Sequence, residues 1–180
     1  MAHVKEQQHN AFTALKSVFS YANPLETPHV EKVVVSTGTG KVADKNKIAV
    51  IQDRLTKITG QKVSPRPAKK SIASFKLREG DVVGYQVTLR GARMYDFLDR
   101  LVHVALPRTR DFHGLSLSGI DEMGNYTIGI KEHTIFPETA DEEQKDVFGL
   151  AVTLVTTAKT KKEAEALLRH LGFPLKKEEN

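Results

Sequence analysis

Eight basic side chains stand between Asp53 and Glu79 with no acidic residue among them. They are Arg54, Lys57, Lys62, Arg66, Lys69, Lys70, Lys76 and Arg78. The whole chain has a formal net charge of only +5, so the residues outside this basic cluster carry a net charge of −3. Proteins hold nucleic acids mainly by neutralising phosphates with cations gathered in this way. The cluster therefore predicts a polyanion-binding surface, with a merely solvated charged loop as the alternative.

A second candidate for phosphate chemistry is the segment Gly38-Thr39-Gly40-Lys41, which follows a predicted strand. A Walker loop needs a further glycine five residues before the second glycine and a Ser or Thr after the lysine to bind magnesium. The chain has Val35 and Val42 at these two positions. Nucleotide binding is therefore disfavoured, and we expect a turn that packs tightly or lets the backbone approach an RNA phosphate. A phosphate-binding enzyme built on the Gly38 turn stays as the alternative function.

Metal and acid–base chemistry have weaker signals. The chain has seven histidines without any His-x-x-x-His pair and no cysteine, so we expect no metal site and no cofactor. Carboxylates concentrate in residues 131–149, where the net charge is −4. Nothing in this acidic loop indicates the burial that a catalytic pair requires. It is either a solvated loop or an acidic patch for a basic protein partner.

Aromatic residues give little sign of base recognition. The chain has four Tyr and eight Phe, and most of them fall at core periodicity. We therefore expect base stacking to be weak, and contacts to phosphate and sugar to dominate any binding of RNA.

Apolar residues recur at helical spacing in four segments. The first runs to Phe19 and is expected to close at Asn23-Pro24, because proline cannot continue a helix. The second has Gly60 as its C-terminal cap. The others are the amphipathic stretch 94–105 and a last helix that begins at the capping box of Thr160 and Glu163.

Alternating or β-branched runs predict the strands, which are residues 30–36, 83–89, 115–120, 126–130 and 150–157. Residues 115–120 and 126–130 are expected to form a hairpin. Pro65 and Pro67 predict that residues 64–81 are a long basic loop with a flexible backbone. Together these elements predict an α+β fold, a mostly antiparallel sheet with helices packed on one face and the other face free.

The composition is that of a globular protein, with 39% hydrophobic and 27% charged residues. The length of 180 residues and the lack of a linker predict a single domain over residues 1–180. The absence of cysteine favours a reducing compartment. No apolar run is long enough for a membrane span, so we expect a cytoplasmic protein.

Two long blocks carry a family resemblance. Residues 69–80 read KKSIASFKLREG and residues 87–98 read VTLRGARMYDFL. Shorter blocks follow in the same order, which are ALPR at 105–108, RDF at 110–112, GLS at 114–116, GNY at 124–126, GIKE at 129–132, IFPE at 135–138 and TTAK at 156–159. From residue 30 to residue 174 the chain closely resembles the bacterial family of large-subunit ribosomal protein number five.

The resemblance implies a structural, non-catalytic protein of the ribosome. Members of this family lie in the central protuberance and hold 5S ribosomal RNA on the large subunit, beside large-subunit ribosomal RNA and neighbouring central-protuberance proteins. They also contact the peptidyl-site (P-site) tRNA through the long basic loop, and a protein of the small-subunit head through a bridge. These partners agree with the localised positive charge.

Three sets of site residues follow from the resemblance. The surface for 5S RNA would comprise Ser36, Thr37, Gly38, Gln61, Lys62, Thr88 and Arg90. The tRNA-facing loop would use Lys69, Lys70, Ser71, Phe75, Lys76 and Arg78. The bridge between the subunits would involve Arg110, Asp111, His113 and the acidic stretch around Glu142.

Overall fold

The computed structural model describes residues 3–40, 42, 44–110, 112–139 and 147–176. Its four helices are α1 (Val4–Phe19), α2 (Lys45–Thr59), α3 (Gly91–Arg100) and α4 (Lys161–His170). Its five strands are β1 (Val30–Gly38), β2 (Ser64–Pro67), β3 (Val82–Leu89), β4 (Tyr126–Ile130) and β5 (Leu150–Thr156). A π-helical turn, Leu101–Ala105, follows α3, and five short 3-10 helices lie at Pro24–Glu26, Ala73–Phe75, Leu117–Gly119, His133–Ile135 and Pro137–Thr139.

The strands form one antiparallel sheet in the order β2-β3-β1-β5-β4, which confirms the predicted α+β fold. Along β5, Leu150, Val152 and Leu154 are buried while the residues between them are half-buried. This period of two is the signature of a strand with one face on the core. Leu150, Val152 and Leu154 thus mark the face of β5 that lies on the core, and the packing of the helices on one face of the sheet stays a prediction.

Two compact units are distinguished within the chain. Unit 1 comprises residues 1–33, 89–128 and 153–180, and unit 2 comprises residues 34–88 and 129–152. The predicted single domain stays a prediction.

Unit 1 contains α1, α3 and α4. Helix α1 buries Val4, Ala11 and Leu15, and the Nε2 atom of His170 on α4 donates to the backbone oxygen of Gln7 at 2.7 Å. Helix α1 ends earlier than predicted, because Ser20 takes the left-handed conformation (φ 55°) and its N–H donates to the Lys16 backbone oxygen. Proline at position 24 is therefore not what stops it.

The capping box at the start of α4 is confirmed in outline. The Thr160 hydroxyl accepts from the Glu163 N–H at 3.3 Å, and the Glu163 carboxylate accepts from the N–H of Lys159 at 2.8 Å. These contacts satisfy N–H groups that a helix start leaves unpaired. Helix α4 therefore begins where the capping box in the sequence predicted.

The predicted hairpin is present only as a turn. The N–H of Asp121 donates to the Asn125 oxygen at 2.9 Å, and Ile120 forms an isolated bridge with Tyr126. Residues 115–120 are nevertheless not a strand, which corrects the prediction. Leu115 instead bridges Leu175, and Leu117–Gly119 is a 3-10 helix.

Unit 2 contains α2, β2 and the segment between β2 and β3. The predicted cap of α2 is confirmed, since Gly60 is left-handed (φ 66°) and its N–H donates to the Thr56 oxygen. The prediction that residues 64–81 are entirely loop is wrong, because Ser64–Pro67 pairs with β3 as an edge strand. Proline is tolerated in a sheet at an edge, where its missing N–H costs no ladder hydrogen bond. The two prolines also remove donors with which another strand would pair.

The rest of this segment is hydrogen-bonded. Ala68 and Asp81 are joined by an N–H to oxygen bond of 2.8 Å, and the Gly80 N–H donates to the Ala68 oxygen. Further out, Ile72 and Leu77 form an isolated antiparallel bridge that encloses the 3-10 turn Ala73–Phe75. The basic loop is thus a hydrogen-bonded stem with a capped tip, and the expected flexibility of its backbone stays a prediction.

Candidate nucleic-acid interface

The C-terminal end of β3 brings together three of the residues assigned to 5S RNA. Gln61 follows the cap of α2, and its Nε2 atom donates to the backbone oxygen of Thr88 at 3.2 Å. Thr88 is half-buried on β3, and Lys62 is exposed. The amide of Gln61 is thereby held by the sheet while the ammonium of Lys62 stays in solvent. One hydrogen-bonding group and one cation therefore stand at the same end of β3.

The end of β1 carries the other residues of this set in unit 2. Ser36 is half-buried and Gly38, the last residue of β1, is exposed. A Cβ atom added to Gly38 would meet nothing within 4 Å, so its backbone is open to an approaching ligand. Gly38 lies at the end of β1 and not in the turn that the sequence predicted.

Thr37 faces the opposite way from Ser36. It is only 7% exposed, and its hydroxyl donates to the backbone oxygen of Gly149 at 2.8 Å. Successive side chains of a strand alternate between its two faces. The Thr37 side chain is therefore a structural link to the segment before β5, and its hydroxyl is already used.

Arg90 lies in unit 1, directly after β3. Its Nη1 atom donates to the carboxylate of Glu31 at 3.0 Å, and both side chains are about half exposed. The hydrogen bond from Arg90, with help from Lys32, holds the pKa of Glu31 below its usual value. Arg90 is thus accessible and also has an acidic partner in the free protein.

The tip of the basic loop is an array of exposed side chains. Lys69, Lys70, Lys76 and Arg78 are all exposed, and the exposed fraction of Phe75 is 77%. Lys76 has φ 51°, a left-handed conformation that closes the 3-10 turn. The Ser71 hydroxyl accepts from the Glu79 N–H at 2.9 Å, and the Asp81 carboxylate accepts from the Arg78 N–H at 2.9 Å. Hydrogen bonds therefore fix the stem while the cations and the phenyl ring point to solvent.

The aromatic ring at this tip departs from the core periodicity that the sequence indicates for most Phe residues. Phe75 lies between Ser74 and Lys76, outside any apolar repeat, and that position was the signal available in the sequence. An exposed ring beside cations is a stacking surface for a base. The structure thus exposes the aromatic ring that the resemblance assigns to the tRNA-facing loop, and the expectation of weak base stacking stays a prediction.

Arg54 is the member of the basic cluster that does not belong to the surface. It is 4% exposed, and its Nη1 atom lies 3.2 Å from Nε2 of His133. The ring of His133 in turn stacks on Phe148, with centroids 4.3 Å apart. Arg54 lies three residues after Ile51 and four before Ile58, on the buried stripe of α2. That helical spacing was the signal that separates it from the exposed cations.

The residues assigned to the bridge are only partly described. Arg110 and His113 of unit 1 are both exposed. Asp111 and Glu142 lie outside the described residues, as do Lys41 of the glycine-rich segment and much of the predicted acidic loop. Within the described part of that loop, His133 and Thr139 are buried, so the segment is not wholly solvated.

Other kinds of site have little support. Among the described residues, no group of three or more His, Asp or Glu side chains is placed to hold a metal ion. Thr39 of the glycine-rich segment is 2% exposed, and its N–H donates to the Val83 oxygen at 2.9 Å. This N–H is therefore not available to bind a phosphate. No helix in the described ranges is both long and apolar enough to span a bilayer.

Two family models match most of the sequence. Residues 23–78 match the family model described as Ribosomal protein L5, and residues 82–175 match the model that describes the C-terminus of the same ribosomal family. The chain is 50% identical over 174 residues to the large ribosomal subunit protein uL5 of Flavobacterium johnsoniae, covering 96% of this chain and 95% of that protein.

Two further relatives with the same description are equally well covered. The uL5 protein of Trichlorobacter lovleyi is 50% identical over 178 residues, which are 98% of this chain and 99% of that protein. The uL5 protein of Desulfotalea psychrophila is 48% identical over 179 residues, which are 98% of this chain and the whole of that protein. The similarity therefore extends over nearly the full length of each relative.

Proposed function

Because the chain belongs to the ribosomal protein L5 family, whose members are structural constituents of the large ribosomal subunit, we propose that it binds 5S ribosomal RNA in the central protuberance. The family is not one of enzymes, so the alternative of an enzyme built on the Gly38 turn is set aside. The family also agrees with the expected ribosomal location. The family resemblance implies the individual partners, and the charge of the chain supports an RNA among them.

One observation carries the proposal of RNA binding. Unit 2 presents six exposed cations within seventeen residues of sequence, and they are Lys62, Arg66, Lys69, Lys70, Lys76 and Arg78. Glu79 and Asp81 are the described carboxylates next to this array, and the Asp81 carboxylate is engaged with the Arg78 backbone. Exposed cations with few acidic neighbours can bind phosphates and displace the counterions that are condensed on a polyanion. The cluster thus retains its positive field in the folded protein.

The residues of the 5S RNA surface have complementary roles in this proposal. Lys62 and Arg90 supply charge for phosphates, while Gln61, Ser36 and Thr88 supply hydrogen-bonding groups for phosphate or sugar. Gly38 contributes a bare backbone, and Thr37 contributes by keeping β1 in place. Contacts of this kind set the position of the protein on the RNA more than they read its sequence.

The basic loop is proposed to serve the P-site tRNA. Its tip carries Lys69, Lys70, Lys76 and Arg78 around the exposed ring of Phe75. Cations would hold the tRNA backbone, and Phe75 would pack on a base or sugar. Arg110, Asp111, His113 and Glu142 are proposed for the bridge to a small-subunit head protein. Large-subunit RNA and neighbouring central-protuberance proteins complete the proposed partners.

Salt dependence tests the proposal of RNA binding. The dissociation constant of the full chain with 5S ribosomal RNA is measured between about 50 and 200 mM salt. We expect the affinity to fall steeply, with each neutralised phosphate adding about 0.7 to 0.9 to the slope of the log–log plot. An RNA of equal length and unrelated fold is the control for specificity. Affinity that ignores salt, or equal affinity for both RNAs, would contradict the proposal.

A further inference from the structure

The pairing of β2 with β3 places the side chains of both strands on definite faces. Ser64 pairs with Gln86, and Pro65 pairs with Tyr85. Tyr85 is 8% exposed, and its hydroxyl accepts from Nε2 of Gln52 on α2 at 2.8 Å, so Pro65 and Tyr85 face the helix. Paired residues share a face and neighbours along a strand alternate. Ser64 and Gln86 therefore lie on the opposite, open face of the sheet.

Arg66 lies on this same open face. It is two residues beyond Ser64 and pairs with Gly84, which has no side chain to stand beside the guanidinium. Arg66 is exposed and has no ion pair within the ranges that the structure describes. Arg66 precedes the stem that begins at Ala68, so it belongs to the sheet and not to the tip of the basic loop.

We propose that Arg66, with Ser64 and Gln86 beside it, binds a phosphate of the RNA that contacts Thr88 and Gln61, and so extends that site across β3 onto the edge strand. This inference rests on the proposed function. Gly84 and Thr88 are four residues apart on β3, which corresponds to about 13 Å at the usual rise of a strand. Arg66 therefore neutralises a different phosphate from the one near Thr88.

Charge and backbone both suit Arg66 to this contact. Strands β2 and β3 contain no acidic residue, so no carboxylate within these two strands competes for the guanidinium. Pro65 and Pro67 fix φ on either side of Arg66, which limits the backbone freedom lost on binding. A guanidinium donates two parallel hydrogen bonds to a phosphate. Arg66 is thus a phosphate contact on the sheet, separate from the cations at the tip of the basic loop.

Substitution at position 66 tests this assignment. Arg66→Gln removes the charge, Arg66→Lys keeps it, and Lys45→Gln removes an exposed cation of unit 2 on α2 as a matched control. The affinity for 5S ribosomal RNA and its salt dependence are measured for the three variants and the unsubstituted chain. We expect Arg66→Gln to weaken binding about three- to tenfold and to lower the salt slope by about 0.7 to 0.9. Arg66→Lys should keep the slope, and Lys45→Gln should keep both affinity and slope.

The outcomes separate the two proposals. If the unsubstituted chain binds 5S RNA with salt-dependent affinity but Arg66→Gln has the same affinity and slope, the Arg66 assignment is overturned and the proposed function stands. If the unsubstituted chain does not bind 5S RNA, the proposed function fails first. Thermal unfolding of each variant is the folding control, and an exposed side chain without a described partner should leave it unchanged. If Arg66→Gln unfolds more easily, Arg66→Thr, which is also uncharged and suits a strand, replaces it and is judged by the same slope.

Discussion

The guanidinium of Arg90 and the carboxylate of Glu31 form a hydrogen-bonded ion pair of 3.0 Å on the surface of unit 1. Arg90 is the cation that the family resemblance assigns to 5S RNA beside β3. An RNA phosphate that binds Arg90 would therefore compete with Glu31 for the same donor. Exposed ion pairs are weak, so the competition is mild but measurable.

Replacing Glu31 by Gln should strengthen RNA binding. The substitution frees Arg90 and removes one negative charge that would repel a phosphate, so we expect the affinity for 5S RNA to rise about two- to fivefold at low salt. The measurement is an RNA titration. Glu122→Gln removes the same charge from another exposed position of unit 1 and should have less effect. Equal affinity of Glu31→Gln and the unsubstituted chain would mean that Arg90 does not contact RNA.

Neutralising the loop tip should separate the two RNA partners. We expect the triple change of Lys69, Lys70 and Lys76 to Gln to leave 5S RNA affinity within about threefold, because the stem holds these residues apart from the strand ends. Crosslinking of P-site tRNA to subunits reassembled with the variant should fall strongly. Phe75→Ala is the charge-neutral companion and should weaken the same crosslink. A large loss of 5S binding in the triple variant would refute this division of labour.

Adjacent residues on β1 should respond differently. Thr37→Val removes the hydrogen bond to the Gly149 oxygen, so we expect unfolding to become easier by about 1–2 kcal/mol with RNA affinity unchanged. Ser36→Ala should change stability by less than about 0.5 kcal/mol and weaken RNA binding. Urea denaturation and RNA titration measure both quantities. The reverse pattern would place the RNA on the other face of the sheet.

Two glycines of unit 2 form another matched pair. A Cβ atom at Gly84 would lie 2.6 Å from the backbone oxygen of Thr37, so Gly84→Ala should destabilise the fold by about 1–3 kcal/mol. Gly38→Ala places its Cβ in open space and should leave stability unchanged. It should nevertheless weaken RNA binding, since the methyl group blocks approach to the strand end. Denaturant unfolding gives the first comparison, and unchanged RNA affinity of Gly38→Ala would exclude close contact there.

Stability should fall at alkaline pH through buried tyrosine. Tyr126 is 1% exposed, its hydroxyl donates to the Ser116 oxygen at 3.0 Å, and burial raises its pKa to about 12. Because the folded state favours the neutral phenol, its contribution is complete below about pH 10 and is lost as the pH rises towards 12. Tyr126→Phe should therefore flatten the decline of unfolding free energy between about pH 10 and 12.

A second tyrosine, Tyr21, should contribute to the same loss of stability at alkaline pH. Burial and the neighbouring carboxylate of Glu163 raise the pKa of Tyr21 to about 12 as well. The decline should thus persist in part in Tyr126→Phe and flatten further when Tyr21→Phe is added. A decline equally steep in both variants would assign it to other groups. Urea denaturation at each pH provides the free energies.

The sequence alone was enough to determine the family, the class of fold and the caps of two helices. Long collinear blocks such as residues 87–98 are specific without any coordinates. Gly60 as a cap and Thr160 with Glu163 as a capping box act within a few residues, so local chemistry is enough to predict them. The localised positive charge was visible for the same reason, because it needs only composition along the chain.

Only the tertiary structure decided which face of β2 is open to the solvent. Helical spacing already separates Arg54 from the exposed cations of the basic cluster, but no local pattern shows that Arg66 lies on an open strand. Whether residues 64–67 are strand or loop depends on pairing with residues 82–86, which is a long-range contact that prolines obscure. A shift of one residue in that register would exchange the two faces of the strand. The face on which Arg66 lies is therefore a property of the fold and not of the local sequence.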